Sequence, residues 1–432
     1  MKEKKTQVQE NPIQAQEDSP RRNFLRNSAT ALTGIVAAGA GIRSGIAAET
    51  AAQNVPPDIP AWMKTPGAVT GGKLYGQPSA FEKNVVRHLR PTDKQYFSSS
   101  TRSPLQELDG FITPNGLFYE RHHNGVPAID PAQHRLMLHG LVKSPLIFTM
   151  DEIRRFPSHS QIYFLECSGN PGYTVYGKTA AQANGLVSCA EWTGVMLKTV
   201  LEEAGLQDGA KWVIAEGADG AGMTRSIPLE KCLDDAMLVY SQNGERLRPE
   251  QGYPLRLLVP GYEGNMNIKW LRRLQVTDIP VHSREETSKY TDLQADGKAR
   301  EFTYIMEAKS IITAPSGGQK LGNKGFCEIT GIAWSGKGKI TRVDVSVDDG
   351  KTWQQATLQN PVLTKALTRF RLPWNWNGEP AVIQSRATDE TGYVQPTLEE
   401  LLPVRGPNGT YHNNAMTAWR IAANGEVTNA RL

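Results

Sequence analysis

Several groups of residues in this chain have the types and spacing that do chemistry. Cys167 closes the run Ile162-Tyr163-Phe164-Leu165-Glu166 and is followed by Ser168-Gly169-Asn170. An apolar run that stops at a thiol and turns through small polar residues predicts a strand displaying that thiol at its end. A displayed thiol suggests a metal ligand or a nucleophile, set against the default for any lone cysteine, which is buried packing. Arg121, His122 and His123 stand in a row at the end of a predicted strand, which makes either a solvated edge or an anion site. Arg256 lies at the centre of the apolar run Tyr253 to Gly261, where a buried charge must be paired with an anion. Asn267, Lys269 and Arg273 add donors in the same neighbourhood, and the glycine-rich loop after Glu216 carries one carboxylate, Asp219.

Other patterns carry less. His134 and His139 lack the i, i+4 spacing of a zinc pair on a helix and read as structural. Gly331 to Gly338 nearly spells a phosphate-binding loop, but glycine replaces the required Ser/Thr and no helix follows. The four cysteines, Cys167, Cys189, Cys232 and Cys327, form no CxxC or CxxCH, so no c-type haem attaches to this chain. Disulfides among them stay open, as expected for an exported protein.

The elements that must position these groups follow from periodicity. Thr149 caps a predicted helix running to Phe156, and Pro157 ends it before the strand that delivers Cys167. Pro171 to Gly185 reads as a loop beside the thiol. Val195, Leu197, Val200 and Leu201 share one face of a predicted helix over 195–204, stopped by Gly205. Trp212 to Ala215 and Ala236 to Tyr240 read as strands, Ile227 to Leu233 as a short helix, and Asn243-Gly244 as a turn. After Ile305 the pattern becomes all-β, with a hairpin around Asp349-Gly350 and strands over Phe370–Trp376 and Ala381–Thr388, as in a sandwich of about 100 residues. Residues 53–105 are rich in Pro, Gly and Ser and read as an extended segment pinned by Tyr75 and Phe81.

The 432 residues, 39% hydrophobic and 21% charged, suffice for two or three cores. The opening Ser19-Pro20-Arg21-Arg22-Asn23-Phe24-Leu25, followed by an Ala/Gly-rich run, reads as a twin-arginine export signal with a cleavage region near Ala47 to Ala52. Residues 1–48 hold seven Lys/Arg and four Asp/Glu, so their removal takes the net charge from +4 to +1 (4 minus 3). A near-neutral remainder argues against a nucleic-acid partner, and no later apolar run reaches membrane-spanning length. The expected order is signal 1–48, extended segment 49–105, catalytic domain 106–300 and β-sandwich 301–432, located in the periplasm.

Taken together, Phe-Leu-Glu-Cys167-Ser-Gly-Asn, Trp192-Thr-Gly, Val-Pro260-Gly-Tyr-Glu-Gly264 with Lys269-Trp270-Leu, and Asp-Asp-Gly350-Lys-Thr-Trp353 resemble the molybdenum-containing sulfite oxidase family. Ile112 to His123, Tyr262 to Met266 and Tyr411 to Met416 resemble its SoxC-type sulfane dehydrogenase subunits. The resemblance implies an α+β fold, a mixed α/β molybdopterin domain followed by an immunoglobulin-like sandwich that makes a homodimer. It implies Cys167 as the thiolate on molybdenum, which is also held by one molybdopterin. It assigns cofactor contacts to Arg121, His122, His123, Asp219, Arg256, Asn267, Ile268 and Lys269. It places Tyr240 beside the metal and has Arg405 reach the pocket from the second domain.

Two departures bear on substrate. The arginine that many relatives carry after the cysteine is absent from Pro171-Gly172-Tyr173, and Gln251 replaces a histidine five residues before Arg256. Fewer fixed cations suit a bulkier substrate than free sulfite. The implied reaction is oxidation of sulfane sulfur on a carrier protein, with electrons passing to a separate dihaem c-type cytochrome. The alternatives are a sulfite:cytochrome c oxidoreductase, a cysteine hydrolase using His123 as base, and an exported binding protein without redox chemistry.

Overall fold

The structure, a computed structural model, describes residues 60, 63, 66, 74–89, 97–171, 177–406 and 411–432. The export signal, its cleavage region, Gly172 and Tyr173 lie outside the described residues. Residues Phe81–Leu432 form one compact unit.

Two antiparallel-rich sheets build its first half. In one, Glu245–Arg246, Met237–Gln242, Val187–Met196 and Ser158–Glu166 lie side by side, with Arg256–Leu258 also paired to Met237–Gln242. In the other, the order is Leu146–Phe148, Leu136–Gly140, Leu271–Thr277, Trp212–Gly217 and Thr224–Pro228. A four-stranded and a five-stranded sheet from residue 309 onward make the sandwich, and the hairpin whose turn residues Asp349 and Gly350 have φ of 62° and 81° forms one edge of the five-stranded sheet. The fold is α+β, dominated by sheets with short helices.

The sandwich core is continuous with the first half. Phe164, Val187 and Cys189 pack in one apolar cluster with Trp334, Phe370 and Trp419. Cys189 and Cys232 are buried, and all four cysteines are free thiols.

Local expectations shift where strands compete with helices. The helix after Thr149 is only Met150–Ile153, although Thr149 and Glu152 form a complete capping box. Val195 belongs to the strand Val187–Met196, and the helix begins at Leu197. Ile227 likewise belongs to a strand, Thr224–Pro228, before the helix Leu229–Asp234. In both places β-branched residues pair with a neighbouring strand before the chain turns helical. The loop after Pro171 contains the helix Ala180–Asn184, capped by Thr179. Tyr75 and Phe81, expected as anchors, are exposed, whereas Ser100–Arg102 is a strand paired on both sides and Leu105 is buried.

Candidate active site

Cys167 is the first residue outside a nine-pair ladder. Ser158–Glu166 pairs with Val187–Met196 from Ser158↔Val195 to Glu166↔Val187. The Cys167 N–H then donates to Leu186 O at 3.0 Å, and its own carbonyl accepts from Asn170 N at 3.0 Å, closing the turn. Burial pushes the thiol pKa up, opposed by the Gly169 N–H and by Arg121. The thiol opens on a cavity that Tyr119, Arg121, Arg256, Lys269 and Tyr290 also line.

The cavity walls are cationic and aromatic. Arg256 is buried, lies 5.3 Å from the Trp192 ring centroid, and donates to Gln251 O at 3.1 Å and Oε1 at 3.2 Å. Burial lowers its pKa to about 10, and its Nε has no partner within the protein. Lys269 donates to Arg121 O at 3.1 Å, His122 Nδ1 at 2.8 Å and Glu250 O at 3.1 Å. All three ammonium N–H groups are thereby satisfied, so Lys269 acts on the cavity through its charge. Its pKa is driven well below the usual lysine range by burial and then by Arg256.

His122 Nε2 lies 2.6 Å from Glu120 Oε2, which fixes Nε2–H as the donor and leaves Nδ1 to accept from Lys269. Burial pulls the His122 pKa down, and Glu120 opposes it. Glu120 also pairs with Arg87 at 2.6 Å. Although burial pushes its carboxyl up, His122 and Arg87 hold the pKa below the usual value.

His123 Nε2 lies 2.6 Å from the Tyr290 hydroxyl. Burial, and then Arg121, lowers the His123 pKa from 6.5 to about 3. The unfolded chain therefore takes up a proton at His123 that the folded chain refuses between those values, so this residue's contribution to stability falls as pH drops from 6.5 toward 3. A His123→Gln chain should lose less stability than wild type between pH 7 and pH 5 in urea denaturation.

The expected site residues divide clearly. Arg121, His122, His123, Cys167, Asp219, Arg256, Asn267 and Lys269 all line the cavity. The Asn267 amide is engaged with backbone, accepting from Val259 N at 2.7 Å and donating to Glu263 O at 3.1 Å.

The expectations for Tyr240, Arg405 and Ile268 are corrected. Strand alternation turns Tyr240 with Leu238 to the opposite face from Met237 and Val239, into a different core, where Arg154 and Arg246 flank its ring. Arg405 ends the helix Leu398–Arg405 in an ion pair with Glu307 at 2.9 Å and does not line the cavity. Ile268 is core, and its carbonyl accepts from Leu257 N.

In their place the structure supplies Tyr119 and Tyr290. Burial raises both phenol pKa values, and the Cys167 charge adds to each rise. Tyr119 had a signal in the sequence, since it lies two residues before Arg121 in the run leading to the row of cations. Tyr290 had none, because it sits with φ of 55° in a segment without periodicity.

These residues fit molybdopterin. Among the described residues no cluster of three or more His, Cys, Asp or Glu could enclose a metal. A metal on Cys167 must therefore draw its remaining ligands from a group the protein binds. Arg121, Arg256 and Lys269 require that group to be anionic, and the buried Arg256 Nε offers it a donor. Gly264 permits close approach, because a Cβ there would meet Glu166 O at 2.9 Å, Tyr119 Oη at 3.0 Å and Cys167 Cα at 3.2 Å.

A single thiol in a cationic cavity, backed by a β-sandwich, fits the molybdopterin class of oxidoreductases. Residues 123–285 match the oxidoreductase molybdopterin binding domain, and residues 300–418 match the Mo-co oxidoreductase dimerisation domain. Sulfite oxidase of Gallus gallus is 31% identical, over 78% of this chain and 79% of that protein. Mitochondrial sulfite oxidase of Drosophila melanogaster is 33% identical over 77% of this chain, which spans 63% of the fly enzyme's length. The sulfane dehydrogenase SoxCD of Paracoccus pantotrophus superposes with a TM-score of 0.84 at 46% identity, covering 86% of this chain and 97% of that one. The chain belongs to the sulfite oxidase family of molybdopterin oxidoreductases.

Proposed function

We propose that this chain is a molybdenum-dependent sulfur oxidoreductase acting on sulfane sulfur presented by a small carrier protein, with electrons leaving to a separate dihaem c-type cytochrome. The reading includes twin-arginine export to the periplasm and a homodimer formed through residues 300–418, the region matching the dimerisation domain. Likeness to a sulfane dehydrogenase along nearly the whole of that chain supports the substrate class.

The observation that carries the preference is the charge around Cys167. Among the cavity's cations Arg121 is the one that acts on the thiol, while the neighbouring carboxylates Glu166 and Glu263 are each neutralised by their own buried partners, Lys309 and Arg225. With Arg256 and Lys269 assigned to the cofactor, Arg121 flanked by Tyr119 and Tyr290 is the cation left to the substrate, which holds a free sulfite dianion poorly and suits a tethered, weakly charged sulfur. Bound at Cys167, molybdenum on molybdopterin would supply a two-electron oxidation of sulfur with oxygen taken from water. Arg121 would hold developing negative charge in the substrate. The Tyr290 hydroxyl, fixed by His123, would orient the substrate or hold a proton.

The deciding experiment is a steady-state comparison of two substrates with the purified, molybdenum-loaded chain. Carrier-bound sulfane, assayed with the copurifying cytochrome, should turn over much faster than free sulfite with cytochrome c alone. Rapid oxidation of free sulfite by this chain would reverse the choice. Full activity in protein free of molybdenum would remove the whole class.

A further inference from the structure

Glu166, the residue before the cysteine, is completely buried. Its Oε1 accepts from Lys309 Nζ at 2.7 Å and Asn170 Nδ2 at 3.0 Å, and its Oε2 accepts from Trp334 Nε1 at 2.7 Å. Lys309 also donates to the Asn170 carbonyl. Lys309 and Trp334 are cross-strand partners at the edge of the sandwich, on Lys309–Ala314 and Gly325–Trp334. Two neighbouring side chains of the second half thus grip both ends of the turn that carries Cys167.

Removing one partner of such a buried pair leaves an uncompensated charge, whereas an apolar pair of similar volume is often tolerated equally well. Stability alone therefore gives little reason for an ion pair here. Charges in a low-dielectric interior act strongly on a neighbouring metal centre, and groups outside its ligand shell tune its redox properties.

We propose that Lys309 and Trp334 are positioning residues for Cys167, and that the Lys309–Glu166 pair sets the reduction potential of the metal it binds. This rests on the molybdenum reading above. Lys309 favours the reduced, electron-rich centre, and Glu166 favours the oxidised one.

The test is a redox titration of the loaded enzyme followed by the molybdenum paramagnetic signal, with metal content measured alongside. Lys309→Met should lower the midpoint potential, Glu166→Gln should raise it, and the double variant should return close to wild type. Unchanged potentials, or shifts in the same direction for both single variants, overturn the tuning role. The double variant carries no buried charge, and Lys309→Arg retains the cation, so either keeps the question answerable if a single variant folds poorly. Wild-type protein without molybdenum would instead defeat the underlying reading, and a metal-independent arm separates the two. In the unloaded full-length chain, Lys309→Met should speed hydrogen exchange at the Cys167 and Asn170 amides by about 10-fold or more, as expected for losing a buried charge-assisted bond. Exchange at the wild-type rate there overturns the positioning role.

Discussion

Cys167→Ser should abolish turnover while the chain remains folded, and Cys189→Ser should leave most of it. Cys167 stands one residue beyond a strand ladder, with its sulfur on an open cavity. Serine there preserves the turn, because the bonds Cys167 makes with Leu186 and Asn170 are backbone bonds, but removes the soft donor a redox metal requires. Loss should exceed the ~10³-fold that removing a single transition-state donor costs. Cys189 sits in the shared core with Phe164 and Trp334, and burial raises its thiol pKa to about 12. A hydroxyl in that core costs about 1–3 kcal/mol of stability without touching the cavity. Steady-state rates, metal content and the thiolate-to-metal absorption band provide the readouts. Equal loss of activity from both substitutions would contradict the assignment.

Tyr290→Phe should lower kcat by ~10²-fold, the scale of a lost proton-handling group, while Tyr240→Phe should stay within about twofold. Burial holds the Tyr290 phenol protonated across any working pH, and its hydroxyl is fixed by His123. The Arg225 guanidinium lies 5.7 Å from the Tyr290 ring centroid, and the Tyr411 ring lies 5.0 Å from it, so the ring should keep its place when the hydroxyl is removed. The defect should therefore fall on kcat more than on KM. A larger loss from Tyr240→Phe would return the role to the residue the cavity excludes.

The difference between those two tyrosines marks how far the sequence could be read. Cys167, the Arg121 to His123 row and Arg256 were legible because each is a local anomaly: a thiol or charge set against an apolar run. The α+β architecture was legible for a similar reason, since periodicity changes character after Ile305. Placement across the fold was not legible. The face on which Tyr240 points depends on strand register, with a bulge between Val239 and Ser241. Arg405 looked free to reach the pocket only because its partner, Glu307, lies 98 positions away. Glu166 and Lys309 are unremarkable letters until the fold brings them within 2.7 Å.

The segment 286–299 lies between the two matched families, yet it bears Tyr290. This has a consequence for recombination. The two halves look like exchangeable modules, but a chimaera joined at residue 285, where the first match ends, would divide the cavity's own residues between parents. A productive crossover would have to place its junction beyond Tyr290, so that the connector travels with the half that carries Cys167, and would have to keep positions 309 and 334 of the sandwich matched to position 166. The boundary that similarity draws along the chain is therefore not the boundary along which this protein can be cut.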